Sequence, residues 1–296
     1  MRIFGRKAVI TIDTAVNSST SASASSLGVK PALEFTCGKD GFDCQFDVSK
    51  DLSGKPNKAT IDVYNLTSDH RAALSERASK KNKPVRVRLE AGYEDGTARI
   101  FEGDLRILYH ERSRGDIITR VETGDGDAIA STARIFRSWG PGTPVAQVIK
   151  DIAATLNIGE GNVRAATAGA LLEGWGPTYT QGAAAAGRSF QELSRICRSA
   201  GLLFSIQDGT LQFLVEDKAL NKTAVLVTPD TGMVDTIKID HKGRLHLRML
   251  MIPDVFPGRK IQLADKSVWR VDKAKYSGHT KGNQWHIDIE GTPISS

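Results

Sequence analysis

Phe101-x-x-Asp104, Tyr109, Gly115 and Val121-Glu122 are echoed far downstream by Trp269-x-x-Asp272, Tyr276, Gly282 and Ile289-Glu290, with the same step from tyrosine to glycine. Each copy reads as a strand, a glycine turn and a returning strand, because apolar residues alternating on both sides of a Gly-containing turn make an antiparallel hairpin. A chain that uses one hairpin unit near both ends, with a different kind of segment between, is better explained as an assembly piece than as an enzyme.

Working outward from the first copy, residues 8–14, 32–36 and 45–48 read as strands, and residues 59–63 alternate with Ala59, Ile61 and Val63 on one buried face. Residues 17–26 are almost pure Ser, Ala and Thr, which bury no core, so the tract reads as a mobile loop over 16–30 thrown out from an ordered sheet. Thr67 or Ser68 is placed to cap a short helix running to Ala78, with Leu74 and Ala78 facing in. Strict alternation over 84–90 then puts Val85, Val87 and Leu89 inward, and turns at 92–96 and 113–116 connect strands over 99–109 and 117–121.

From Gly124 the character changes. Thr143-Pro144 predicts a helix start with Thr as N-cap and Pro at the first helical position, and Val145, Val148, Ile149, Ile152 and Leu156 form its apolar stripe. Ser189-x-x-Glu192 predicts a capping box worth about 1 kcal/mol, opening a second helix that buries Phe190, Leu193, Ile196, Cys197 and Ala200. Each large apolar side chain contributes roughly 1.5–3 kcal/mol when fully buried, so this stripe needs a surface. The hairpin 202–215, turned at Asp208-Gly209, supplies one. Residues 159–187 are rich in Gly and Ala with little periodicity and read as a second surface loop. Strands return at 236–240, 244–251, 259–263, 268–273 and 285–290, with Leu245, Leu247, Met249 and Met251 on one face and Trp285, Ile287 and Ile289 on another.

The fold class expected is mainly β with an α/β insert. The division is a first β domain over 1–125, a middle α/β domain over 126–222 and a second β domain over 223–296.

At 296 residues the chain has room for two or three domains. No apolar run approaches the roughly 20 residues that cross a bilayer, and the basic start, Met1 to Lys7, lacks the apolar core of a secretory signal, so folding in a cytoplasm without membrane insertion is expected. Cys37, Cys44 and Cys197 are an odd count without C-x-x-C spacing, which argues for reduced packing residues instead of disulfides or zinc. Asn17, Asn65 and Asn221 match the glycosylation pattern, which means little without secretion. The net charge of +6 is compatible with polyanion binding or with plain solubility. Its densest cluster is Lys80, Lys81, Lys83, Arg86 and Arg88, which reads as a solvated face sooner than as a nucleic-acid stripe.

Walker, complete G-x-G-x-x-G, G-x-S-x-G and H-E-x-x-H motifs are absent. Gly124-Asp125-Gly126-Asp127 resembles the start of a cation loop but lacks the ligand ladder and terminal Glu, and reads as a polar turn. His241 and His246 flank a turn with no cysteine or patterned carboxylate to complete a metal site. Glu102 and Asp104, two apart on a strand, are the pair a hydrolase would use, and also what a solvent-facing strand looks like. Trp269 and Trp285 sit at core-facing strand positions, whereas Trp139 and Trp175 lie in loops and are better placed to touch a partner. No catalytic, cofactor-binding or metal residue is assigned, and no cofactor is expected.

Ile61-Asp62-Val63-Tyr64-Asn65-Leu66, Gly92-Tyr93, Phe101 to Asp104, the two middle helices with Gly201-Leu202 and Asp208-Gly209, and Pro257-Gly258 through Trp269-Arg270-Val271 to Trp285 together resemble the baseplate hub family of contractile phage tails. That family is related to late control protein D and to the trimeric base of type VI secretion spikes. The resemblance implies two tail-tube-like antiparallel β-barrel domains per chain and a homotrimer, whose six barrels match a sixfold tail tube. It implies a place in the virion tail baseplate, after assembly in the host cytoplasm. The partners implied are the tail tube protein, the central spike protein, the tape-measure protein and baseplate wedge or adaptor proteins, with DNA passing through the lumen without sequence-specific binding. Unlike some relatives, the chain shows no fused lysozyme or spike needle, which leaves wall penetration to other proteins. The Ser-rich tract has no counterpart in the family. The competing expectations are a cell-wall hydrolase using Glu102 and Asp104, and a nucleic-acid-binding β-barrel using the Lys80 to Arg88 region.

Overall fold

Alternation decides what each strand buries. In β1 (Arg6–Thr14), β2 (Leu33–Gly38), β3 (Asp43–Asp51) and β4 (Lys58–Tyr64), the side chains of Ala8, Ile10, Ile12, Phe35, Cys37, Cys44, Phe46, Val48, Ala59, Ile61 and Val63 are all buried. Helix α1 (Ser68–Ala78) is capped by Thr67, whose side chain accepts from His70 N, and leads to β5 (Val85–Tyr93), β6 (Gly96–Ser113) and β7 (Asp116–Gly124). The computed structural model describes residues 5–14, 32–79, 85–125, 132–156, 178–215, 218–220 and 223–294. The Ser-rich loop expected over 16–30 lies outside them, as does most of the loop expected from residue 159 onward.

The middle of the chain carries β8 (Arg134–Trp139), β9 (Thr143–Pro144), α2 (Val145–Thr155), β10 (Thr178–Tyr179), β11 (Ala183–Arg188), α3 (Ser189–Ser199), β12 (Leu202–Gln207) and β13 (Thr210–Val215). It has a core of its own, in which the apolar stripes of α2 and α3 pack with the β12–β13 hairpin. The last part adds β14 (Val225–Val227), β15 (Lys238–Ile239), β16 (Leu245–Leu250), β17 (Lys260–Leu263), β18 (Val268–His279) and β19 (Trp285–Pro293). Among the described residues no helix is long and apolar enough to cross a membrane.

The two terminal β units form one thirteen-stranded sheet, ordered β15-β16-β19-β18-β3-β4-β7-β6-β5-β1-β2, with β17 on β18 and β14 on β17. They also share one hydrophobic core. Every ladder in this sheet is antiparallel except β14 on β17. Within it a four-strand order occurs twice, as β4-β7-β6-β5 and as β16-β19-β18-β17. The registers repeat too. Bulges break β6 between Leu105 and Ile107 opposite Thr123 and Glu122, and β18 between Val271 and Lys273 opposite Gly291 and Glu290, so both kinks fall beside the glutamates that the sequence echo equated. Asp62 and Arg120 pair bidentately across β4 and β7 at 2.6 and 2.7 Å, and Arg248 and Asp288 do so across β16 and β19 at 2.7 and 3.2 Å. By register these are equivalent positions with the charges exchanged.

The literal residue echo is looser than the structural repeat. With Glu122 set on Glu290, Tyr276 corresponds to His110 and Tyr109 to Lys275, because a one-residue slip moves a side chain to the opposite face. Tyr276 is accordingly buried and Tyr109 half-buried. Four further expectations are corrected. Helix α2 starts at Val145, one residue later than expected, because Thr143-Pro144 bridges to Thr178-Tyr179 and the Thr143 hydroxyl donates to Gly140 O. The Ser189 capping box is not formed, since Ser189 is buried and its hydroxyl accepts from Thr155 Oγ1 at 2.7 Å. Ala78 is exposed, and Arg77 turns inward instead to donate to Ile12 O at 3.0 Å. Residues 183–187, expected in a loop, belong to β11 because β8 supplies a ladder that an Ala-Gly run does not advertise by itself.

Candidate functional site

Two junctions hold the architecture together. The first is the seam where β18 lies on β3, Tyr276 opposite Val48 and Ser277 opposite Asp47, the serine hydroxyl donating to the carboxylate at 2.7 Å. Gly278 sits here because a Cβ would lie 2.2 Å from the Phe46 ring, which in turn meets Trp285 edge-on at 5.5 Å. A concave site of about 470 Å³ overlies the seam, and its charges oppose each other, as in Lys273 with Glu290 at 2.7 Å.

The second junction plugs the insert into the first β unit. Asp208 and Gly209 take positive φ of 54° and 77°, the geometry of a tight Asp-Gly hairpin turn. The turn drives Asp208 against Lys50, whose ammonium donates to both carboxylate oxygens at 2.8 and 2.9 Å and to Ile100 O at 3.1 Å. Glu102 N donates to Asp208 at 3.0 Å and Gly209 N to Asp125 at 3.0 Å. Asn57 bridges further, donating to Ile206 O at 2.7 Å and to Gln207 Oε1 at 3.0 Å, and Gln207 donates to Asp51 O at 2.8 Å. Lys50, Asn57 and Gln207 were not singled out from the sequence, and Asp125 and Asp208 were read there as turn residues without a partner. One signal was present: Lys50 continues the inward phase of Phe46 and Val48, and a lysine there needs a buried partner.

Asp125 is fully buried, and among the described residues its second oxygen has no hydrogen-bond partner. Burial first, and then the Asp208 carboxylate, push its pKa up to about 7, against the Gly209 N–H and Lys50, which favour the ionised form. A native pKa above the unfolded value means that the folded protein binds the extra proton, so this stability is complete below about pH 4 and is lost as pH rises through about 7. Thermal or denaturant unfolding is expected to show a fall of roughly 4 kcal/mol across that window. Asp125→Asn should flatten the pH dependence; an unchanged slope in the variant would assign it to other groups.

The residues singled out from the sequence disperse. Glu102 accepts from Arg88 at 3.2 Å and Arg99 at 2.8 Å, and Asp104 pairs with Arg86 at 3.5 Å, its pKa raised by burial. Both carboxylates and all three of these arginines of the β5–β6 face are therefore held in ion pairs, while Lys80, Lys81 and Lys83 lie outside the described residues. Trp269 and Trp285 are core residues as expected. Trp139, expected to touch a partner, is instead 9 % exposed and donates to Asp151 at 2.7 Å, because β8 folds it onto α2. Trp175, Gly126 and Asp127 lie outside the described residues. His246 faces Asp240 at 3.3 Å, and His241 is exposed. The three cysteines are buried and free. Among the described residues no group of His, Cys, Asp and Glu is disposed to hold a metal ion.

Comparison with protein families matches residues 31–267 to the family described as baseplate hub gp41. Comparison with curated proteins finds no match. Among solved structures, the fold resembles the 43 kDa tail protein of prophage MuSo2 from Shewanella oneidensis, with TM-score 0.59 and 10% identity over 96% of this chain and 98% of that one. It resembles a tail protein from Neisseria meningitidis equally well, with TM-score 0.58 and 10% identity over 96% of each chain. A third similar structure is the E. coli c3393 protein, a type VI secretion component described as similar to the T4 tail proteins gp27 and gp5, with TM-score 0.55 and 11% identity over 86% of this chain and 74% of that one.

Proposed function

The chain belongs to the baseplate hub gp41 family and has a structural role in a phage tail baseplate, and on that premise we propose that it forms a trimeric ring joining the tail tube to the central spike. The ring surrounds the channel through which genome and tape-measure protein pass, and DNA crosses it without sequence-specific contacts. The observation that carries this reading is the strand order found twice in one chain, because three chains then present six similar β modules to a sixfold tube. In this reading residues 1–125 and 223–296 are the tube-like modules and 126–222 the insert. The hub acts without catalysis, a reading supported by the commitment of Glu102 and Asp104 to arginines. Tube protein, spike and baseplate wedge or adaptor proteins are its neighbours, and assembly takes place in the host cytoplasm.

An obligate ring of this kind needs interfaces commonly above about 2,000 Å². Native mass spectrometry, on the chain alone and with its spike protein, is expected to give a species of three times the 32.0 kDa of one chain. A single-chain mass under both conditions would overturn the ring.

A further inference from the structure

The repeat makes the β3–β18 seam a template. In the second module the outer edge of β18 after its bulge is covered by β3 of the first module. In the first module the corresponding edge is that of β6 after its own bulge, and among the described residues no strand pairs with it beyond Asp104 on that side. Where β3 covers the edge, Ala274, Tyr276 and Gly278 are buried; the corresponding Leu108, His110 and Arg112 are half-buried, exposed and exposed. The counterpart of β3 is β15, which lies on β16 as β3 lies on β4, and no described strand covers its outer side. Ile239, the counterpart of buried Val48, is 60% exposed there.

We propose that a second copy of this chain adds its 236–240 edge to the 109–113 edge of β6, repeating between copies the seam that β3 and β18 make within one. The register follows from the template: Tyr276 opposite Val48 becomes His110 opposite Ile239, and Ser277 opposite Asp47 becomes Glu111 opposite Lys238. Serine and aspartate at the internal seam are thus replaced by a glutamate and a lysine of opposite charge, a favourable cross-strand pair. Both are exposed, and neither has a charged partner among the described residues. The contact is head to tail, so each copy uses its β6 edge on one neighbour and its β15 edge on the other, and the arrangement closes into a ring when the rotation permits. It also covers strand edges that would otherwise template indiscriminate pairing. This inference rests on the proposed ring and names the surfaces that close it.

The test is cysteine cross-linking. Directly opposed residues of an antiparallel pair lie about 4.5–5.5 Å apart at Cα, within disulfide reach. E111C and K238C chains mixed in equal amounts should give a cross-linked pair on mild oxidation, whereas either alone should give none. The E111C/K238C double variant should give cross-linked trimers. As a second arm, E111K and K238E should each weaken self-association roughly tenfold, and their combination should restore it. A trimer by native mass without the E111C–K238C cross-link would overturn the edge assignment and leave the ring standing. Cross-linking by E111C alone would replace it with a twofold contact, and a single-chain mass throughout would overturn both readings.

Discussion

Lys50→Ala should lower the free energy of unfolding by roughly 3–5 kcal/mol, the range for removing one partner of a buried ion pair. The Lys50 side chain is 3 % exposed and that of Asp208 20 %, so water replaces little of what the ammonium supplies. Without it Asp208 keeps the Glu102 N–H and faces the buried Asp125 carboxyl with no cation between them. Much of the loss is the cost of an uncompensated charge, so Lys50→Met with Asp208→Asn should recover a good part of it, asparagine also tolerating the positive φ at that turn. Denaturant titration of wild type, Lys50→Met, Asp208→Asn and the double variant measures the coupling. A loss below about 1 kcal/mol in Lys50→Ala would mean that the hairpin tip is not a structural plug.

Tyr276→Ala should cost a similar amount, about 3–5 kcal/mol, as for a large aromatic side chain deleted from a core. Tyr276 is completely buried, stands opposite Val48 at the seam, and donates its hydroxyl to Val255 O at 2.7 Å. The variant leaves a cavity where the two modules meet, and with it a carbonyl that has lost its donor. Tyr276→Phe separates these effects, retaining the packing and losing about 1–3 kcal/mol from the unpaired acceptor. Denaturant unfolding and hydrogen exchange of the β3 and β18 amides read both variants. If Tyr276→Ala unfolds like wild type, the seam contributes little.

Most of the β framework was legible because its signal is local. Alternation in 59–63, 85–89 and 285–289 places the inward residues directly, and the Asp208-Gly209 turn is written in two residues. What escaped depends on partners distant in sequence. The alanines of β11 become a strand through β8, and Ser189 is drawn from its cap by Thr155. Lys50 and Asp208, 158 positions apart, meet only after the insert has folded. The repeat was visible as a hairpin echo, but its true register was hidden, since the matching tyrosines occupy opposite faces while the matching glutamates mark the bulges. The inverted Asp62–Arg120 and Arg248–Asp288 pairs carry the repeat better, and a comparison by residue identity passes over them.

Electron cryomicroscopy of the assembled hub tests most directly whether the terminal units are copies of one module joined edge to edge around a channel. The expected map shows six related β modules in one closed ring, with β18–β3 seams inside chains alternating with β6–β15 seams between them. Three isolated β units around the axis, or modules in contact only through the insert, would contradict it.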